Sequence, residues 1–337
     1  TDSRIHCHTV GSMRFNEDLG TLEFYTGDMW KTVNSYKDVG NRGRGFWIGG
    51  FGPTSSGRSR TIDYVNIQSL GNAVKFGELL TTTVGTGNEG SMGCGNEIRG
   101  VIGGGYVAPL RVDDIEFIEI STLGNALSFG DLTANTAQPG PAADSTRGLF
   151  CGGMLQSGNT NVIQYVTIAS SGNGIDFGDL TRGTNSPGAV SSSTRCVTAG
   201  GSTPSASNVI DFFEIQTLGN AVDFGDMTST TAGGGGLSSP VRGVFSGGYS
   251  GDRTRINFIT ISSKGNALTF GELSRGRGGA ATGGNATRGI TATGDGIVHH
   301  NTIDYITIAS TGNAVDFGDL TYSADRVAGC SNGHGGL

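Results

Sequence analysis

The sequence predicts an all-β protein, a six-bladed β-propeller with four-stranded blades that follows a small N-terminal β-meander. A phrase of the type NAVDFGDLT (313–321) occurs six times, and successive copies begin 46 to 53 residues apart. A short β-prone segment precedes each copy, and glycine supplies 61 of the 337 residues. Because no segment between the copies has a helical period, each repeat is predicted to be a small antiparallel sheet. Sheets of four strands at this spacing are typical of propeller blades.

The four strands of a blade follow one another in a fixed order. The innermost strand is predicted in segments of small residues such as GSMGCGN (90–96) and GGAATGGN (278–285), because several strands converge near the axis of a propeller. The second strand begins at an arginine: Arg44, Arg99, Arg147, Arg195, Arg242 and Arg288. The third strand carries apolar residues on both faces: IDYVNI (62–67), IEFIEI (115–120), IQYVTI (163–168), IDFFEI (210–215), INFITI (256–261) and IDYITI (303–308). The outermost strand is the repeated phrase: GNAVKFGELL (71–80), GNALSFGDLT (124–133), GNGIDFGDLT (172–181), GNAVDFGDMT (219–228), GNALTFGELS (265–274) and GNAVDFGDLT (312–321).

The two ends of the repeat region complement each other. The first repeat begins at RGFWIGG (44–50) without an inner strand, whereas RVAGCSNG (326–333) follows the last repeat as a spare strand. The spare strand is therefore predicted to complete the first blade and to close a ring of six. In an alternative arrangement, residues 33–40 supply the first inner strand and the spare strand begins a seventh blade.

Three features of the repeats resemble kelch-type propeller repeats. They are the glycine doublet of the second strand, as in RGVFSGG (242–248), the Tyr or Phe of the third strand, and the aromatic residue of the fourth. The resemblance covers residues 42–337, although Phe stands where kelch repeats usually have Trp. It implies a propeller domain over this range, but the propeller fold alone does not identify a function.

Residues 1–41 do not repeat, and they are predicted to form a separate N-terminal β-meander. Three short strands are expected within GSMRFNEDLGTLEFYTGDMWKTV (11–33). About 40 residues with so few apolar side chains bury too little surface for an independent core, so the segment needs a partner. Its strands followed by Trp30 resemble a β-meander of tailed-bacteriophage structural proteins, especially fibres and other appendages. The repeated GNAxDFGDLT phrase also resembles repeats in predicted structural proteins of marine phages.

These resemblances imply a virion structural protein located in a tail or another surface appendage. Residues 1–41 would then be an attachment or oligomerisation segment that contacts other virion proteins. A homo-oligomer is expected, with a trimer favoured.

Charge and hydropathy exclude two classes of partner. The net charge of −7 lacks the concentrated basic surface that a nucleic-acid partner requires, so no nucleic-acid binding is expected. The sequence has no apolar run of the length that spans a bilayer, so no membrane insertion is expected.

Six acidic residues follow the repeated Phe-Gly pair, and they could suggest catalysis. They are Glu78, Asp131, Asp179, Asp226, Glu272 and Asp319. A catalytic site needs different residues that converge once, whereas these occur once per blade with the same neighbours. A structural pair between each acid and the arginine of the second strand is predicted instead, so that Asp179→Ala should lower stability. The sequence contains no nucleophile-elbow, zinc-protease, P-loop or EF-hand motif. It therefore predicts no enzymatic activity and no cofactor.

The N-terminal IHCHT segment offers the one candidate metal site. His6 and His8 lie on one side of an extended strand, and structural zinc needs more ligands than two. In a trimer, three such pairs would supply six imidazoles around an axis, so metal binding is predicted only for a trimer. The alternative is a solvated N-terminal strand. The five cysteines form no CxxC pair and are expected to be small buried residues.

Ligand recognition is predicted on the loops that join the second and third strands, because the copies differ most there. They comprise residues 51–61, 106–114, 154–161, 202–208, 249–255 and 295–301. Loops on a rigid scaffold commonly carry binding residues, and aromatic and arginine side chains are favoured as anchors. The candidate ligand-binding residues are Phe51, Arg58, Arg60, Tyr106, Arg111, Met154, Tyr249, Arg253, Arg255, His299 and His300. The alternative is that these loops vary because nothing constrains them.

The predicted function is that of a non-enzymatic phage virion structural protein, a tail fibre or appendage component. Its propeller head would recognise a host-surface glycan or protein. One alternative is a kelch-type protein-interaction adaptor, and another is a glycan depolymerase.

Overall fold

The computed structural model describes residues 9–16, 21–28, 30–33, 43–52, 57–80, 88–294 and 299–337. The chain divides into two compact units, Thr1–Gly40 and Asn41–Leu337. The regular elements of the described residues are all β-strands. Within these ranges there is no helix of sufficient length and hydropathy to span a membrane.

The N-terminal unit contains a three-stranded antiparallel sheet. Its strands are β1 (Met13–Asn16), β2 (Thr21–Tyr25) and β3 (Trp30–Val33), paired in that order. The Arg14 guanidinium lies 4.3 Å from the centroid of the Trp30 ring and pairs with Glu23 at 2.7 Å. Tyr25 packs against Trp30 with 5.5 Å between ring centroids. A cation–π contact and one ion pair therefore hold together a sheet that has few apolar side chains.

The second unit is a six-bladed β-propeller. Blade 1 contains β4 (Arg44–Ile48), β5 (Thr61–Asn66) and β6 (Val74–Glu78). Blade 2 contains β7 (Met92–Gly95), β8 (Arg99–Val107), β9 (Leu110–Glu119) and β10 (Leu127–Asp131). Blade 3 contains β11 (Gly140–Ala143), β12 (Arg147–Leu155), β13 (Gly158–Thr167) and β14 (Ile175–Asp179). Blade 4 contains β15 (Gly188–Ser191), β16 (Arg195–Ala199), β17 (Ser207–Glu214) and β18 (Val222–Thr231).

Blades 5 and 6 follow the same order. Blade 5 contains β19 (Gly235–Ser238), β20 (Arg242–Ser246), β21 (Arg255–Thr260) and β22 (Leu268–Glu272). Blade 6 contains β23 (Ala281–Gly284), β24 (Arg288–Ala292), β25 (Thr302–Thr307) and β26 (Val315–Asp319). The last strand, β27 (Ala328–Ser331), pairs with β4 and is the innermost strand of blade 1. The C-terminal strand thus closes a six-bladed ring, which confirms the predicted fold.

The hydrophobic core lies between the blades rather than within one central layer. Six buried clusters are present in the described residues, one at each junction of neighbouring blades. In blade 6, Ile303 faces the junction with blade 1, whereas Ile306 and Ile308 face the junction with blade 5. Both faces of the third strand are therefore covered, as its apolar pattern predicts.

The repeated phrase joins each blade to the next, and we refer to this contact as the rim clasp. Between blades 3 and 4, Gly219 N–H donates to Phe177 O at 3.0 Å, and Ala221 N–H donates to Asp179 O at 2.8 Å. Asp179 N–H donates to Asn220 Oδ1 at 3.0 Å. The bond to asparagine recurs at all six junctions at 3.0 to 3.1 Å. A Cβ on Gly178 would lie 2.4 Å from the Gly219 carbonyl oxygen, so the close approach requires glycine.

The predicted arginine–carboxylate pairs at the blade junctions are wrong. The Nη1 of each repeated arginine instead donates to a backbone carbonyl at the end of the next blade's third strand, at 2.5 to 3.3 Å. Each guanidinium also lies 4.4 to 5.1 Å from the ring centroid of the Tyr or Phe in its own third strand. Among the described residues, Glu78 alone of the six acids has an arginine within ion-pair distance, Arg60 at 3.7 Å. A backbone carbonyl oxygen accepts a hydrogen bond from a guanidinium, as a carboxylate oxygen does, and sequence spacing does not distinguish the two acceptors.

A second set of bonds crosses each junction deeper in the protein. The second residue of the repeated third-strand segment is polar and buried in every blade: Asp63, Glu116, Gln164, Asp211, Asn257 and Asp304. Each accepts a hydrogen bond from the residue two positions after the repeated acid of the preceding blade. Buried polar groups require such partners, so these bonds fix the orientation of adjacent blades.

Candidate functional site

One face of the propeller carries the loops that differ among blades, and we call it the loop face. In a four-stranded antiparallel blade, the hairpin between the second and third strands and the connection to the next blade lie on the same side. Among the described residues, the longest paired strands of this hairpin are β8 and β9 in blade 2 and β12 and β13 in blade 3. They extend beyond the corresponding strands of the other blades and form two walls on this face.

A ring of six residues, which we call the mouth ring, surrounds the propeller axis on the loop face. One residue from each inter-blade connection has a left-handed backbone with φ between 50° and 70°: Gly90, Gln138, Ser186, Gly233, Gly279 and Arg326. Five backbone hydrogen bonds of 2.7 to 3.0 Å link neighbouring members of the ring. Glycine adopts this conformation freely, whereas a residue with a Cβ loses roughly 1–2 kcal/mol. Three blades thus place a side chain where glycine would be less strained.

Below the mouth ring, the inner strands enclose an axial cavity of about 90 Å³. Tyr249 and Arg326 line its upper end, and His334 lines the opposite end, where its Nε2 contacts the Gly95 carbonyl at 2.7 Å. Sites for small organic ligands usually enclose about 300–1,000 Å³. The axial cavity is therefore too small for such a ligand.

A larger groove lies beside the mouth ring, between the hairpins of blades 2 and 3. It has a volume of about 380 Å³. Its lining comes from two hairpins and three inter-blade connections: Glu89, Gly90, Tyr106, Pro109, Arg111, Ala137, Gln138, Met154, Gln156 and Arg326. Two of the three strained members of the mouth ring, Gln138 and Arg326, are among these residues. Strained backbone positions concentrate at functional sites, so the groove is the strongest candidate site on this face.

Arg111 bridges the two walls of the groove. Its Nη1 donates to Gln156 Oε1 at 2.7 Å, and its Nη2 lies 2.6 Å from Met154 Sδ. The floor beside it contains Gln138, whose Oε1 accepts a hydrogen bond from Ser186 Oγ at 3.1 Å. Side-chain contacts from blade 2 to blade 3 therefore join the two walls of the groove.

A charged and aromatic cluster borders the inner end of the groove. The carboxylate of Glu89 lies between two guanidinium groups, 3.1 Å from Arg58 Nη2 and 3.7 Å from Arg326 Nη1. Arg58 lies 4.9 Å from the Tyr106 ring centroid and 5.9 Å from that of Phe51. The Phe51 ring in turn lies 5.8 Å from the ring of His299. Six of the eleven predicted binding residues are thus found together in the groove or this cluster: Phe51, Arg58, Tyr106, Arg111, Met154 and His299.

The remaining predicted binding residues lie elsewhere on the propeller. Arg60 donates twice to the Leu79 carbonyl, at 2.6 and 3.0 Å, and so joins its hairpin to the outer strand of the same blade. Arg255 Nη1 donates to Ser229 Oγ at 2.6 Å. Arg253 packs beside Gly276, where an added Cβ would lie 2.9 Å from its own. These three residues therefore support the scaffold at some distance from the groove.

Two further predicted residues occupy special positions. Tyr249 lies over a glycine floor, because a Cβ added at Gly233, Gly278 or Gly279 would come within 2.3 Å of its ring or hydroxyl. His300 Nδ1 lies 3.0 Å from Arg275 Nη1. Burial, and then the nearby positive charge of Arg275, lowers the pKa of His300, which favours the neutral imidazole.

Sequence reasoning missed the residues that come from the inter-blade connections. Glu89, Gln138 and Arg326 come from these connections and line the groove, as does Gln156 of the β12–β13 hairpin, but none of the four was among the predicted binding residues. Gln138 and Arg326 occupy the position that precedes each inner strand, where three other repeats have glycine. An alignment of the copies at this position would have identified them.

The predicted metal ligands His6 and His8 lie outside the described residues. Within the described ranges, no group of three or more His, Cys, Asp or Glu side chains is arranged to hold a metal ion. The four cysteines among these residues are buried and unpaired, as Cys94 and Cys330 illustrate.

No protein-family model matches the chain, and no curated protein matches it either. The six-bladed propeller therefore rests on the sequence repeats and on the structure.

Proposed function

We propose that this protein is a non-enzymatic recognition protein that binds its ligand in the groove between the hairpins of blades 2 and 3. The observation that carries the proposal is the placement of Gln138 and Arg326 at left-handed positions of the mouth ring, both facing the groove. Elsewhere in the ring, Gly90, Gly233 and Gly279 avoid this strain. Because glycine serves the same backbone position in other blades, we assign the strained side chains of Gln138 and Arg326 a role in ligand binding.

We further propose that the recognition head belongs to a phage virion appendage, with a host-surface glycan or protein as the ligand. The resemblance of residues 11–33 to the β-meander of phage fibres and appendages supports this part of the proposal, as does the resemblance of the repeated phrase to phage structural proteins. Residues 1–41 would contact other virion proteins. The propeller would then be the part that meets the host.

Gln138→Gly tests the groove without damaging the fold. The substitution removes a groove side chain and relieves the left-handed strain, so stability should stay within about 1 kcal/mol of the wild type. Binding to a panel of immobilised bacterial surface polysaccharides should weaken several-fold. Ser186→Gly makes the same backbone change at a ring position that does not line the groove. Of the contacts to groove residues it removes only the hydrogen bond to Gln138, so it should weaken binding less than Gln138→Gly does.

Three results would contradict parts of the proposal. Wild-type binding by Gln138→Gly would place the ligand outside the groove. Release of reducing sugar ends from the bound polysaccharide would show an enzyme. Capture of a cellular protein through the groove, with no binding to bacterial surfaces, would favour the adaptor.

A further inference from the structure

Arg111 contributes a positive charge to the groove that no described carboxylate offsets. Its two terminal nitrogens contact neutral partners, Gln156 Oε1 and Met154 Sδ. Its buried Nε has no hydrogen-bond partner within the described part of the chain. Guanidinium groups present several donors in a plane, which matches the geometry of a carboxylate. Arg111 can therefore receive an anionic group from a ligand.

The other charges beside the groove compensate one another. Arg58 and Arg326 both face Glu89, at 3.1 and 3.7 Å. Arg326 Nε also lies 3.8 Å from Asp325 Oδ2. These two guanidinium groups thus face two carboxylates. The positive charge of Arg111 has no such carboxylate beside it among the described residues.

The remaining polar groups suit a ligand with many hydroxyl groups. The side-chain amides of Gln138 and Gln156 can each donate and accept, as hydroxyl groups do, and Tyr106 offers an aromatic surface and a phenol. A peptide that binds by adding a strand to a sheet would instead need a free strand edge, but β8 and β12 are each paired on both sides. The groove chemistry therefore favours a saccharide over a peptide bound by strand addition.

We propose that the groove binds an acidic saccharide whose carboxylate pairs with the Arg111 guanidinium. The inference rests on the proposed recognition function and specifies its ligand class. The groove volume of about 380 Å³ lies at the lower end of the range for small-ligand sites, about 300–1,000 Å³, so it accommodates a short stretch of a saccharide chain.

Matched pairs of ligands test the charge directly. Oligogalacturonate and oligosialate would each be compared with the corresponding methyl ester by calorimetric titration of the full chain. Esterification removes the negative charge and keeps the sugar, so at least one acid should bind about tenfold to a hundredfold more tightly than its ester. The difference should shrink as salt is added, because the paired charges are partly exposed.

Two variants locate the carboxylate. Arg111→Gln should reduce binding of the acid to the level of the ester, whereas Arg111→Lys keeps the charge and should retain part of the preference. Arg255→Gln makes the same charge change on the loop face, outside the groove, and should bind as the wild type does.

The possible outcomes separate this inference from the proposed function. Suppose that acid and ester bind equally well and that Gln138→Gly weakens the binding of both. This result would overturn the inference that the ligand is acidic, but it would still place recognition in the groove. If the protein binds an acidic peptide such as polyglutamate and none of the saccharides, the assignment of the ligand as a saccharide would be overturned. Loss of binding in Arg255→Gln equal to that in Arg111→Gln would overturn the assignment of Arg111.

Discussion

Glu116 is the residue at which a single proton should change the stability of the propeller. Its carboxyl is buried at the junction of blades 1 and 2 and accepts the Leu80 N–H at 2.9 Å. Burial raises the pKa of Glu116 from 4.5 to about 7. The folded state holds the proton more tightly than the unfolded chain does. Protonated Glu116 therefore makes its full contribution to the free energy of unfolding below pH 4.5, and this contribution is lost as the pH rises through 7.

Glu116→Gln should remove this pH dependence. The amide oxygen can still accept the Leu80 N–H, but it cannot ionise. Between pH 5 and pH 8 the wild type should lose about 2–3 kcal/mol of stability relative to the variant, as a pKa shift from 4.5 to about 7 implies. Urea unfolding at a series of pH values measures the difference.

Blade 3 supplies the control for this prediction. Gln164 occupies the position of Glu116 and accepts the Thr133 N–H at 2.8 Å. Gln164→Glu should therefore introduce a similar loss of stability at high pH. Parallel pH profiles of Glu116→Gln and the wild type would show that the Glu116 carboxyl ionises as freely in the folded protein as in the unfolded chain.

At the scale of an element, the rim clasp explains why the outer strand is the most constant part of the repeat. Its contacts use the backbone of Phe177 and Asp179, the side chain of Asn220, and the absence of a side chain at Gly178. The Thr181 hydroxyl adds a bond of 2.8 Å to the buried Asp211 of the next blade. Each unit of the phrase thus contacts the following blade.

Asn220→Ala should destabilise the propeller more than Asp179→Ala does. The asparagine variant leaves the Asp179 N–H without its acceptor, which costs about 1 kcal/mol. The aspartate variant keeps that backbone N–H, so its effect should stay within about 0.5 kcal/mol, as for most surface substitutions. Denaturant midpoints of the two variants measure this, and a larger loss in Asp179→Ala would restore a structural role for its carboxylate.

The sequence contained enough information for the ring but not for the groove. Six copies of one phrase, and the complementary ends at 44–50 and 326–333, determine the number of blades and the closing strand. The partners of Arg147 could not be predicted, because the Ile215 carbonyl lies 68 residues away and any carboxylate of similar spacing fits the same pattern. The groove depends on hairpin length and on φ at Gln138, which appear only in three dimensions.

At the scale of the whole molecule, the prediction concerns the number of chains in the assembly. The full chain should form a trimer, as the resemblance of the N-terminal segment to phage appendage proteins implies. Light scattering of the purified chain should give three times the mass of one chain at micromolar concentration. A mass equal to one chain would contradict the trimer and would also weaken the prediction of a metal site at His6 and His8.

Six rim clasps hold the blades alike, yet the walls of the groove come from blades 2 and 3 alone. If the groove is the ligand site, as proposed, each chain is monovalent despite its near-sixfold scaffold. A single proposed site of this size would bind a surface of repeating sugars strongly chiefly through avidity, since linked sites raise the effective concentration for the next contact. The strength of adhesion would then be set by how many copies are displayed together, and the number of blades would have no influence on it.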